Sequence, residues 1–212
     1  ITIIGTDPGV MAAMNGGTHM PFEDMGTLMS IPRITLVEPT DSVQLRWLLQ
    51  TLEKEYGVYY IRLLRKNAVG VFEEGSQFQL GRFARLREGA DAAVVCSGIM
   101  VGEALKAAAL LEGEGVQIAV LNAFTWKPMD DETLAEYARS CGCVVTAENH
   151  NILGGLGSAV ANSLSRSCPV PVEMVGVEDE FGEVGTEDFL RRRFDLTAEH
   201  IVRAVRAAMA RK

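Results

Sequence analysis

Apolar and polar positions alternate along this chain in two different rhythms that succeed one another almost to its end. "ITIIGT", "RITLVEP" and "VYYIRLL" are short β-branched runs that predict strands in the first third. Two helices are predicted between them. One begins near Pro21 and runs through "FEDMGTLMSI", with acids in the first turn where the helix dipole favours them. The other is "SVQLRWLLQTLEKEY", where Val43, Leu45, Leu48, Leu49 and Leu52 predict the buried stripe. Asp41 and Gln44 have capping-box spacing at its start, and Gly57 is the expected stop.

From Lys66 to about Gly89 neither rhythm holds. "KNAVGVFEEGSQFQLGRFARLREG" is rich in Gly and charge and reads as an ordered linker with one or two short strands. A second series then begins. "DAAVVCSG", "VQIAVLNA", "CVVTAENH" and "VPVEMVGVED" predict strands. "IMVGEALKAAALLEGEG", "DDETLAEYARSCG", "GGLGSAVANSLSRS", "TEDFLRRRF" and "TAEHIVRAVRAAMARK" predict helices. Near-continuous apolar strands alternating with helices imply an α/β fold with a mostly parallel sheet covered on both faces. The expected organisation is an incomplete α/β unit over 1–66, a linker over 67–89 and a complete three-layer α/β/α domain over 90–212. Ile1, Ile3 and Ile4 would need neighbours on both sides, so further chain is expected before Ile1, either on this polypeptide or as a separate one.

Charge and cysteine content narrow the chemistry. A formal net charge of −8 and the absence of a basic run with interleaved aromatics argue against nucleic acid as a partner. No apolar run reaches the roughly 20 residues a membrane span needs. Cys96 lies in a buried-strand pattern, and Cys141 and Cys143 form a lone C-x-C without a second ligand pair, so structural thiols and a reducing, cytoplasmic setting are expected.

Three stretches could carry function. The loop Gly16-Gly17-Thr18-His19 follows a strand and precedes a helix, where open α/β sheets bind ligands, yet it could equally be a tight turn. "YIRLLRK" leaves Arg62, Arg65 and Lys66 at a strand end, suited to an anion or merely solvated. In "TAENHNILGGLGSAV" the Gly154-Gly155-Leu156-Gly157 turn could cradle an anion, although close helix packing is the better expectation. Glu148, Asn149 and His150 would then face a cleft or a subunit interface.

Five ordered blocks together carry a family resemblance over nearly the full length. "NGGTHMPFEDMGTLMSIPRITLVEPTD", "YIRLLRK", "CSGIMVGEAL", "TAENHNILGGLGSAV" and "FGEVGTEDFLRRRFDLTAEHIV" resemble the transketolase family, in particular the C-terminal section of transketolases made as two chains. The resemblance implies the tail of a pyrimidine-binding domain followed by a C-terminal domain. It implies thiamine diphosphate and Mg²⁺ (or Ca²⁺), held largely by an N-terminal partner section, in a homodimer or heterotetramer acting on phosphorylated sugars. This chain alone would be an inactive part of a transferase of carbohydrate metabolism.

Position by position, His19 matches the histidine that contacts sugar hydroxyls, the one catalytic residue so assigned, and Arg65 the arginine that holds a substrate phosphate. Asn15 stands where many members have an aspartate that reads hydroxyl stereochemistry. Asp7 stands where many have a phosphate-contacting histidine, and an acid there would repel a phosphate. The glutamate and aromatics that activate the cofactor would lie upstream of Ile1. Two cousins, deoxyxylulose-phosphate synthase and the beta subunit of 2-oxoacid dehydrogenases, are the alternatives within this architecture. A non-catalytic dimerisation or scaffold module is the alternative of another class.

Overall fold

The computed structural model describes residues 1–65 and 68–212. Lys66, and with it the expected boundary at 66/67, lies outside the described residues.

The first sheet contains β1 (Thr2–Thr6), β2 (Ile34–Val37) and β3 (Val58–Leu63), all parallel, in the order β1-β3-β2. Its helices are α1 (Asp24–Met29) and α2 (Ser42–Leu52). The second sheet runs β4 (Ala84–Arg87), β6 (Ile118–Asn122), β5 (Ala92–Cys96), β8 (Val144–Asn151) and β9 (Val172–Val177), parallel except for β4. The helices α3 (Met100–Glu112), α6 (Glu187–Arg193) and α7 (Ala198–Met209) bury their apolar residues in one core cluster of this unit. The helices α4 (Asp131–Cys141) and α5 (Leu156–Ser167) contribute to another. The expected α/β class with a mostly parallel sheet is what the chain forms.

Locally, expectation and structure agree at some points and differ at others. β4 is a short strand within the linker, as expected, and pairs antiparallel with β6. A further strand, β7 (Thr125–Lys127), has no periodicity to announce it, and it leaves the second unit to pair antiparallel with β2 in the first sheet. The other described residues of the linker are held in place, in keeping with an ordered segment. Phe78 packs against Trp47 of α2 and Phe124, and the Val71 and Phe72 amides donate to Asp41 Oδ2 at 2.8 Å.

Asp41 caps α2 as expected, accepting from the Gln44 amide, but Gln44 returns its side chain to the Thr40 amide instead. The stripe of α2 is also displaced. Gln44 and Leu48 are the buried positions, Leu49 faces outward, and the helix stops before Gly57. Within the sheet built by this chain, β1 is an edge strand rather than a central one, and Ile1, Ile3 and Ile4 are exposed.

The two units share their cores. Val10, Met20 and Phe22, from the loop after β1, enter the cluster built by α3 and α7, with Phe22 edge-on to Phe194 at 5.3 Å between ring centres. Met25, Ile34 and Leu36 join the cluster under α4 and α5. Burial of this continuous apolar surface is what fixes one unit on the other.

Candidate functional site

Asp7 follows directly on β1 and Arg65 stands two residues past the end of β3, two neighbouring parallel strands whose last paired residues are Thr6 and Leu63. Both therefore emerge at the carboxyl ends of the strands, where open α/β sheets take ligands. The Asp7 amide extends the ladder by donating to the Leu63 carbonyl at 3.1 Å. Its φ of 58° places it in the left-handed region, which aspartate tolerates better than most side chains. The outcome is an ion pair, with Arg65 Nη2 2.7 Å from Asp7 Oδ2. The two ends of the pair differ in setting: the Asp7 side chain is 9% exposed and that of Arg65 is 65% exposed.

His19 and Asn15 belong to the loop between β1 and α1, which winds as two 3-10 turns, Gly9–Asn15 and Gly17–His19. Both residues are exposed, and His19 Nδ1 lies 2.9 Å from the Thr18 hydroxyl. The glycines of this loop answer to packing. A Cβ on Gly17 would stand 2.2 Å from the Gly182 carbonyl, so only a glycine lets the 178–186 segment cross there. That acidic segment packs through Gly182 on Gly17 and Met20, while Phe181 stays exposed.

Behind the loop lies a buried polar network that sequence reasoning did not assemble. Asn149 accepts from the Val10 amide and donates to the Pro8 carbonyl, both at 3.0 Å, clamping the start of the loop onto β8. Arg62 is fully buried. It meets Glu38 through Nη1 at 2.7 Å and Asp24 through Nε at 3.0 Å, and its Nη2 donates to the carbonyls of Pro21 and Asn149. Glu38 in turn accepts from the Ser97 hydroxyl at 2.5 Å. Desolvation works against the Arg62 charge, but the two carboxylates outweigh it and hold the guanidinium protonated.

His150 is sealed in the same network. Its Nε2 accepts from the Gly26 amide at 3.2 Å and its Nδ1 lies 2.7 Å from the Asn151 carbonyl, an arrangement that suits the neutral ring protonated on Nδ1. Burial first, and then the Arg62 charge, push its pKa down to about 4. Glu148, Asn149 and His150 therefore face the seam inside this chain, not a cleft or a subunit surface.

The glycine turn before α5 is already occupied by the protein's own carboxyl group, whose pKa burial pushes up to about 8. Glu148 accepts from the Leu156 amide at 2.6 Å and the Gly157 amide at 2.7 Å. These are the donors a bound phosphate would need. Cys141 and Cys143 are buried, their thiols toward the Gly89 and Asp91 carbonyls. Among the described residues no three His, Cys, Asp or Glu side chains converge to hold a metal, and no helix is long and apolar enough to cross a membrane.

With this geometry in view, comparison with known proteins is specific. The family described as "Transketolase, C-terminal domain" matches residues 81–201, and the chain belongs to the transketolase family as a C-terminal section. The 6-deoxy-6-sulfo-D-fructose transketolase subunit SqwH of Clostridium sp. (strain MSTE9) is 48% identical over all 212 residues, which span 66% of that protein. The 1-deoxy-D-xylulose-5-phosphate synthase of Heliobacterium modesticaldum is 36% identical over 96% of the chain, covering 32% of that enzyme. Among solved structures, a split gene transketolase, described as an inactive beta4 tetramer, matches with a TM-score of 0.93 and 40% identity. It covers all of this chain and 67% of that one. Transketolase from Campylobacter jejuni matches with a TM-score of 0.77 at 21% identity, covering 97% of this chain and 31% of that one, and shares the fold. The synthase alternative is not favoured beside the split-transketolase matches.

Proposed function

We propose that this chain is the C-terminal section of a split, thiamine-diphosphate-dependent transketolase that moves a two-carbon ketol unit from a ketose to an aldose. The observation that carries the reading is the placement of an exposed guanidinium, Arg65, at the carboxyl end of β3 beside the loop side of β1. Strong similarity to the split subunits adds to it.

In this reading an N-terminal partner section supplies the metal and diphosphate ligands, and the two sections assemble as a heterotetramer. Bound thiamine diphosphate supplies the carbanion stabilisation that ketol transfer requires. His19, Asn15 and Arg65 form the substrate wall. His19 holds or moves a proton at a sugar hydroxyl, Asn15 reads hydroxyl configuration, and Arg65 takes the charged end of the sugar. Asn149 and the Arg62 network contribute by holding the loop that carries His19.

The test is to mix the purified chain with its partner section, thiamine diphosphate and Mg²⁺ and to follow ketol transfer. Neither section alone should turn over. His19→Ala should lower kcat with every donor, whereas Arg65→Ala should raise KM chiefly for donors with a charged terminus. Full activity of both variants would instead favour a scaffold role.

A further inference from the structure

From the Asp7–Arg65 pair we infer that the terminal subsite is built for a singly charged anion, a sulfonate, and discriminates against a phosphate monoester dianion; this rests on the ketol-transfer reading above. A guanidinium that met phosphate unopposed would offer a full positive charge and five N–H donors. Here one donor group, Nη2, is already engaged by a carboxylate 2.7 Å away. The second N–H of Nη2 and the nitrogen that shares that edge remain to receive two oxygens of an incoming anion, but the site as a whole is close to neutral.

Asp7 is not free to leave. Its amide closes the β1–β3 ladder, its side chain is 9% exposed, and Oδ1 has no hydrogen-bond partner among the described residues. The compensating charge for this desolvated carboxylate is therefore Arg65, and the two act as a unit. An anion binding to the open side of Arg65 approaches Asp7 as well. A sulfonate brings one negative charge, whereas a phosphate monoester brings about −1.5 to −2 at pH 7. The second charge gains nothing from an arginine that is already neutralised and is repelled by the fixed carboxylate. The hydrogen-bonding geometry of the two tetrahedral groups is nearly the same, so discrimination falls on charge.

The experiment uses the assembled two-section enzyme and three donors of one ketose skeleton: a terminal sulfonate, a terminal phosphate and an uncharged terminus. The wild type should favour the sulfonate in kcat/KM. Asp7→Asn should raise the phosphate-to-sulfonate ratio of kcat/KM about tenfold, mostly through KM of the phosphate. Arg65→Ala should weaken both charged donors, and Arg65→Lys should partly restore both. A ratio is insensitive to loss of folded enzyme, so misfolding of a variant does not mimic the result. Ketol transfer with a ratio that Asp7→Asn leaves unmoved overturns the charge-selection inference alone. No transfer from any of the three donors overturns the ketol-transfer reading and the inference with it.

Discussion

Arg62 donates from Nη1 to Glu38 Oε1 at 2.7 Å with both side chains out of contact with solvent, one on β3 and the other just past β2. The pair, with Asp24 and the Asn149 carbonyl, spans the seam between the two units. Arg62→Met leaves two carboxylates facing each other without a cation, a loss of about 3–5 kcal/mol. Adding Glu38→Gln to Arg62→Met should recover part of it, because one of the stranded charges is removed. Chemical denaturation of the three proteins decides this, and a double variant no more stable than Arg62→Met would contradict it.

Asn149 makes the two hydrogen bonds that fasten Pro8 and Val10 to β8. Asn149→Ala strands a buried amide and a buried carbonyl, each costing roughly 1–3 kcal/mol when water cannot reach it. Exchange of the Val10 amide should accelerate sharply while the amides of α7 keep their protection, so the damage is read locally by hydrogen exchange.

Gly155 and Gly70 differ in what a methyl group would meet. At Gly155 the added Cβ would lie 2.0 Å from Glu148 Oε2 and 2.5 Å from the Asn151 carbonyl. At Gly70 it would meet nothing within 4 Å. Gly155→Ala is expected to cost at least about 1–3 kcal/mol by overpacking, and Gly70→Ala to be neutral or slightly stabilising through the unfolded chain. Melting temperatures of the pair are the measurement.

His150 gives stability a pH dependence of known sign. Its pKa is lowered to about 4 in the fold, against an ordinary value of 6.5. Between those values the unfolded chain binds a proton that the folded one refuses, so the contribution is fully present above pH 6.5 and is lost as pH falls toward 4. The full shift amounts to about 3 kcal/mol. The groups facing the ring are Arg62, Asp24 at 3.9 Å and Glu148 at 3.8 Å. Arg62 stays charged throughout; burial works to raise the Asp24 pKa but the Arg62 charge and hydrogen bond outweigh it, so Asp24 loses its own contribution only at lower pH. Glu148, pushed up to about 8 by its burial, takes up a proton in the fold before the unfolded chain does, so its contribution has the opposite sign: it is lost as pH rises through 8 and fully present below its ordinary value of 4.5. Because Glu148 titrates in both proteins, His150 is read from the difference: the stability of the wild type relative to His150→Gln should fall by about 3 kcal/mol between pH 6.5 and 4. Parallel pH curves for variant and wild type would refute the assignment.

Much of the fold was legible because β-branched runs and helical stripes are local signals. The alternation from "ITIIGT" to "VPVEMVGVED" sets the strand order in sequence, and Asp41 marks the start of α2 without help from tertiary structure. β7 was not legible: "TWK" is too short for periodicity, and its pairing with β2 is decided by the remote Leu36 and Val37. Arg62 shows the opposite limit. A charged residue in a strand is ordinarily a surface residue, and only Glu38, Asp24 and two carbonyls, brought together from four segments, make its burial tolerable. The Gly154–Gly157 turn reads from the sequence first as close helix packing and only second as a cradle for an anion. Both hold: Gly157 packs against Met174 and Thr146, and the Leu156 and Gly157 amides are taken by Glu148, eight and nine residues before them. Within the candidate site, His19 and Arg65 were named from their motifs, while the contact between Arg65 and Asp7 depends on the parallel register of β1 and β3, which no local pattern reveals.

β6 ends at Asn122 in the second sheet, and β7 begins at Thr125 in the first. One short piece of backbone is thus woven into both sheets, in the manner of a stitch through two layers of cloth. Swinging one unit away from the other would have to unpick ladder hydrogen bonds as well as part the buried charges. The crossing of Gly17 and Gly182 is of another kind, a contact between two surface segments that no ladder of hydrogen bonds holds shut among the described residues.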